Sequence, residues 1–250
     1  GQALSAASQT VPADRRAHSL HAYFMRPGDA TKPIVYNVDC IRDGRSFTTR
    51  RVVAVQKGRA IFNLAASFQV DESGFEHQDE MPEVPGPEGI EREIDRARRL
   101  ADKLPPGLRE MILCRKPIEI RHVNPVDPFK PEIQPPAKHV WFKAIDKMPD
   151  DPATHQYLLA YASDFNLVAT TLYPHGHTFW QPEMQVASLD HAMWIHREIR
   201  MDEWLLYAME SPSACKARGL AIGRIFTREG KLVATVAQEG LIRYRGTTAP

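Results

Sequence analysis

Cysteine is scarce in this chain. Cys40, Cys114 and Cys215 are three in 250 residues, odd in number and widely spaced, and no two form a Cys-x-x-Cys pair. That excludes a disulfide framework, argues against a paired-cysteine zinc site, and fits reduced thiols in an intracellular, cytoplasmic protein. Long apolar runs are missing too. None approaches the ~18 residues of a membrane span, and no secretory signal pattern opens the chain. A net charge of +1 leaves no basic footprint, so nucleic acid is not an expected partner. There is no Gly-x-Gly-x-x-Gly after a strand, no phosphate-binding loop and no Gly-x-Ser-x-Gly nucleophile elbow. His175 and His177 alternate in a loop without further ligands at metal spacing, so neither a metal nor a cofactor is expected. The terminal Thr247-Thr248-Ala249-Pro250 carries no peroxisomal Ser-Lys-Leu address.

What is present is a repeat. Ser19-Leu20-His21-Ala22, then Tyr36, then a turn closing on Gly58, returns as Ser188-Leu189, His191-Ala192, Tyr207 and Gly230, about 170 residues later. Two copies at so long a period mean two similar units, each of a usual domain size. The expected division is 1–72, a connector over 73–116, and 117–250. The opening Gly1-Gln2 runs straight into a helical pattern through Ala3, Leu4, Ala6 and Ala7, so the first unit is expected to lack an upstream strand and the start of its helix.

Val-, Ile-, Phe-, Tyr- and Thr-rich runs predict strands at His18–Arg26, Ile34–Arg42, Ser46–Gln56 and Arg59–Val70. They are broken by Pro27-Gly28-Asp29, Asp43-Gly44 and Lys57-Gly58, which are hairpin signals. Residues 71–91, rich in Glu, Pro and Gly, read as a surface connector before a charged helix from Glu91 to Leu104, ended by Pro105-Pro106, and a second helical piece at Leu108–Cys114. Strands are predicted at Pro117–Val123 and His139–Ile145. A helix follows, capped by Asp151 with Pro152 in its first turn and ended by Pro174. It is apolar nearly all round and should be buried. Strands resume at Met184–His196, Glu203–Ser211, Cys215–Thr227 and Lys231–Arg243. One buried helix followed by four antiparallel strands, twice, is an α+β tandem hotdog.

Three residues could carry chemistry. Asp164 falls in the middle of the apolar helix, on a seam with Tyr157, Tyr161 and Val168, where a carboxylate can polarise a water as a general base; the alternative is a solvated carboxylate at a gap in the sheet. Gln238 continues the inward row Leu232, Ala234, Val236, and its amide both donates and accepts; the alternative is a strand-end residue at the rim. Ser188 suits positioning better than nucleophilic attack, with a self-bonded strand serine as the alternative. Asp190 and His191, adjacent on a strand, point to opposite faces, so a structural role is expected of both.

Gly1-Gln2-Ala3-Leu4, His18–Asp29, Arg42–Phe47, Ala66–Gln69, Tyr161–Asp164, Ser188–His196, Glu210-Ser211, Arg218-Gly219 and Gln238-Glu239-Gly240 together resemble the acyl-CoA thioesterase II family, double-hotdog enzymes of bacteria and peroxisomes. The resemblance implies hydrolysis of acyl-CoA to free acid and CoA. It also implies a catalytic trio of Asp164, Ser188 and Gln238 that orients a water, oxyanion donors near a helix N-terminus, and a homodimer or homotetramer. The location it implies is cytoplasmic, or peroxisomal for a eukaryotic member whose C-terminal signal has been truncated. A hotdog hydratase would need Asp-x-Asn-Pro-x-His, but Leu167 and Ala169 replace the Pro and His that follow Asp164-Phe165-Asn166. A non-catalytic acyl-CoA binder would have lost one of the trio.

Overall fold

The computed structural model describes residues 1–103, 106–114 and 116–246. Helix α1 (Gln2–Ser8) leads into β1 (Arg15–Phe24), β2 (Val35–Asp43), β3 (Phe47–Gln56) and β4 (Arg59–Val70). An extended stretch and two helices, α2 (Glu93–Leu100) and α3 (Pro106–Leu113), connect to β5 (Ile118–His122) and β6 (Ala137–Ala144). Then come α4 (Pro152–Ala162), a 3-10 helix (Val168–His175), and β7 (Met184–Ser188), β8 (Asp190–Ile195), β9 (Leu205–Cys215), β10 (Arg218–Thr227) and β11 (Leu232–Tyr244). The expected helix end at Leu104-Pro105 and the Thr247–Pro250 tail lie outside the described residues.

Asp43-Gly44 and Lys57-Gly58 join paired strands as expected, but Pro27-Gly28-Asp29 closes no hairpin, because β1 pairs with β4 and β8 and not with β2. Lys57-Gly58 turns β3 into β4 and Lys216-Ala217 turns β9 into β10, with both residues of each pair at positive φ, as primed two-residue turns require. Cys215 therefore ends β9 instead of opening β10.

All strands join one antiparallel sheet in the order β2-β3-β4-β1-β8-β11-β10-β9-β6-β5, with β7 on β11. The seam between the two units is β1 against β8. There Leu20 faces Met193 and Ala22 faces His191, with His21 opposite Ala192 between them. This pairing is symmetric if Leu20 and His191 are equivalent, as are Ala22 and Met193. The sequence match of His21 with His191 is thus off by one. The second copy has an extra residue, Asp190, between Leu189 and its histidine. A one-residue slip exchanges faces on a strand: His21 is exposed, whereas His191 is buried.

Both helices pack on the same face of the sheet. Ala3, Leu4 and Ala7 of α1 and Leu159 and Ala162 of α4 join the inward residues of the strands in one core. The opposite face of the second unit carries Trp141, Leu206, Phe226 and Leu232, covered by Met81, Val84 and Ile90 of the connector. Trp141 Nε1 donates to Pro85 O at 2.8 Å, and Gln78 bridges Gly230 O and Leu232 N.

Helix α4 departs from expectation in two ways. It is not apolar all round: it buries His155 and Gln156, while Tyr161 is 44% exposed. The buried pair is satisfied. His155 Nδ1 accepts Met201 N–H at 2.9 Å, and Gln156 Nε2 donates to Ala17 O at 3.0 Å. The helix also stops at Ala162, well before Pro174. Asn166 adopts φ 69°, which no α-helix accommodates, and a 3-10 segment takes over.

Candidate active site

Ending α4 early is what places Asp164. It lies two residues past the helix, half-buried in the turn that leads to Asn166, and not mid-helix as the periodicity predicts. Asn166 tolerates the left-handed backbone, and Lys138 Nζ from β6 donates to its Oδ1 at 2.6 Å. Burial pulls the Lys138 ammonium down to about 8, partly offset by Glu93. Tyr207 reaches in from β9 and donates from its hydroxyl to Ser163 O at 2.7 Å, tying down the residue before Asp164. A side chain at Gly223 would collide with the Tyr207 ring, so glycine on β10 makes room for it.

Ser188 and Gln238 arrive from the sheet. Strand β11 changes partner there: Ala234–Ala237 pair with β8, and Gly240–Tyr244 pair with β7. Leu189 is the break between β7 and β8, which the sequence predicts as one strand. Asp190 secures the junction by accepting Glu239 N–H at 2.7 Å. Gln238 sits at the handover, 1% exposed, continuing the inward row Ala234, Val236; Leu232, expected in that row, lies on the opposite face because the β10–β11 register shifts between Ile225 and Phe226.

The three side chains meet. Gln238 Nε2 donates to Asp164 Oδ1 and to Ser188 Oγ, each at 2.6 Å, and Ser188 Oγ donates to Asp164 Oδ1 at 3.1 Å. Among the described residues no donor engages Asp164 Oδ2. The start of α1 borders the same place: Gly1 packs against Tyr157 and Tyr161. The arrangement can hold a water beside a carboxylate oxygen free to take its proton.

Residues 1–69 match the acyl-CoA thioesterase N-terminal domain, and residues 109–241 match the family described as acyl-CoA thioesterase. The chain is 45% identical to acyl-CoA thioesterase 2 of Haemophilus influenzae, over 97% of this chain and 85% of that one. The chain belongs to the acyl-CoA thioesterase family. The crystal structure of an acyl-CoA thioesterase II from Mycobacterium marinum superposes with a TM-score of 0.80 at 43% identity, covering 97% of this chain and 86% of that one. A protein with a hot dog fold from Alicyclobacillus acidocaldarius, 19% identical, shares the fold alone, with a TM-score of 0.74 over 99% of this chain and 84% of that one.

The cluster holds one residue that the strand-parity argument leaves out. Strand parity predicts a structural role for His191 because Asp190 and His191 point apart, and they do. But His191 points inward: its Nδ1 lies 2.7 Å from Gln238 Oε1 and its Nε2 2.9 Å from Ser163 Oγ. Burial lowers its pKa below the ordinary histidine value, with Gln238 and Asp164 opposing. Its signal was the extra residue of the second copy. His177 instead bonds Gln181, far from a metal-like set, and among the described residues no His, Cys, Asp and Glu cluster could hold a metal ion.

Proposed function

We propose that this protein hydrolyses acyl-CoA to free acid and CoA, with Asp164, Ser188 and Gln238 orienting a water for direct attack. The observation that carries the reading is the convergence of these three side chains in a family whose named members are acyl-CoA thioesterases. The water oxygen bonds to the thioester carbonyl carbon while Asp164 Oδ2 takes its proton. Ser188 and Gln238 fix Asp164 Oδ1 and the direction of approach. The oxyanion calls for backbone N–H donors, of the kind a helix N-terminus offers. Collapse breaks the C–S bond, and the leaving thiolate takes the proton from Asp164. No acyl-enzyme forms.

The acyl chain is assigned to two neighbouring cavities near the site, the larger also lined by Arg92, Glu93, Arg98, Lys116 and Glu119. Ala162, Phe165 and Tyr207 face Ile118 and Ile120 of β5, and the same two isoleucines line a cavity of about 240 Å³ under α2, with Ile94, Leu113 and Ile145. The division 1–72, 73–116 and 117–250, a cytoplasmic location and a homodimer or homotetramer belong to the same proposal. Among the described residues no helix is long and apolar enough to cross a membrane.

The test is hydrolysis of a ladder of acyl-CoAs, short to long, with released CoA followed by a thiol reagent. Release peaking at one chain length is the expected result. No release from any member, with saturable acyl-CoA binding, would overturn hydrolysis in favour of a binder.

A further inference from the structure

Gln238 poses a problem that the trio does not solve. Its amide must present Nε2 to Asp164 and Ser188, because a carboxylate only accepts. Turned by half a rotation, the amide would set its carbonyl oxygen against Asp164 and repel it. Within the trio only Asp164 opposes the wrong rotamer, because Ser188 can rotate its hydroxyl to suit either end of the amide. Outside the trio, one group touches the far end of the amide: His191 Nδ1, 2.7 Å from Gln238 Oε1.

We propose that His191 is a positioning residue whose Nδ1–H holds the Gln238 amide in the orientation that serves Asp164. The reading rests on the proposed roles of Asp164, Ser188 and Gln238. The chain of bonds has one consistent direction. The Ser163 hydroxyl donates to His191 Nε2, His191 Nδ1–H donates to Gln238 Oε1, and Gln238 N–H donates to Asp164 and Ser188. Ser163 is fully buried and sits between α4 and Asp164; its hydroxyl can donate to Nε2, which leaves Nδ1–H to face the acceptor Gln238 Oε1.

The other copy of the fold is an internal control. By the seam register, Leu20 stands where His191 does. In the first unit Leu20 pairs with Ala66 and Ala17 with Phe68, as Ser188 pairs with Gly240 across β7 and β11. The places of Ser188, His191 and Gln238 are thus held by Ala17, Leu20 and Ala66, all buried. The histidine comes and goes with the trio, and a leucine fills its space in the copy without one. Packing alone therefore does not demand an imidazole there.

The experiment compares His191→Asn, His191→Gln and His191→Leu with the natural protein and with Asp164→Ala, reading kcat and KM separately. The Asn amide N–H falls near Nδ1 and can donate to Gln238, whereas the Gln amide falls near Nε2 and faces Ser163. Expected are a kcat loss of about 100-fold for Leu and Gln with little change in KM, and recovery of most of it by Asn. Equal losses in all three variants, or none, would overturn the role of His191 while an inert Asp164→Ala leaves the trio standing. An active Asp164→Ala would overturn both. Nitrogen-15 spectra of the natural protein need no variant: the neutral Nδ1–H tautomer is expected at His191, and the Nε2–H tautomer would overturn the proposal.

Discussion

Gly240 lies against Val168. A Cβ on Gly240 would come within 2.5 Å of Val168 Cγ1 and 3.2 Å of its Cβ, so the 3-10 helix rests on bare backbone of β11. Gly240 is also the residue opposite Ser188, and Val168 follows Asp164 by one turn. The contact thus sets the spacing between the two halves of the site. Gly240→Ala is expected to destabilise by about 1–3 kcal/mol, as overpacking does, and to lower kcat by pushing the Asp164 turn off the sheet. Thermal unfolding and steady-state kinetics on one preparation check both.

Asp164→Ala removes the proton acceptor. The expected result is a kcat lower by about 10²–10⁴-fold with acyl-CoA binding largely kept, as for loss of a general base. Ser188→Ala should cost less, because Gln238 still reaches Asp164 at 2.6 Å. Retained turnover in Asp164→Ala would sink its role.

Lys138 sets an expectation of opposite sign for stability and activity. Its pKa is pulled down to about 8 by burial, so carrying the charge costs stability below that pH. Lys138→Met should keep or raise thermal stability near neutrality, yet lower kcat, because Asn166 loses the bond that holds its left-handed turn. A destabilised variant with full activity would contradict both halves.

Acid should weaken the join between the connector and the second unit. Burial opposes ionisation of Glu93, but His122 and Lys116 outweigh it and hold the carboxyl at about 2. Below its usual value of 4.5 the unfolded chain takes up a proton that the folded one refuses, so stability falls as pH drops from 4.5 toward 2. His122, lowered by burial, acts in the same direction below 6.5. Denaturant titrations of Glu93→Gln should show a flatter pH dependence below 4.5 than the natural protein.

Ile120 tests the acyl path. It lines both the gap beside Phe165 and the larger cavity under α2. Ile120→Phe is expected to shift the preferred acyl-CoA to shorter chains in the ladder assay. An unchanged optimum in a folded variant would place the chain elsewhere.

Much was legible in order and alternation. Strands and hairpin turns declare themselves locally, through β-branched runs and residues that accept positive φ, so the antiparallel tandem fold followed. The inward row Ala234, Val236, Gln238 is a period-two pattern that needs no partner to be read, and the Asp151 cap with Pro152 marks a helix start by local bonds alone.

Other features depend on what lies across from a residue. Helical spacing runs unbroken through Asp164, but Lys138 and Tyr207, from distant strands, settle that the helix yields to a turn there. Repeat matching aligns His21 with His191, yet the seam register shows the second histidine displaced by one residue and so turned to the other face. Sequence alone determined which side chains were available for chemistry, because alternation and capping are properties of neighbours along the chain. Only the tertiary structure decided that Asp164, Ser188, Gln238 and His191 form one hydrogen-bonded set, because strand register and a helix end are fixed by contacts between segments far apart in sequence.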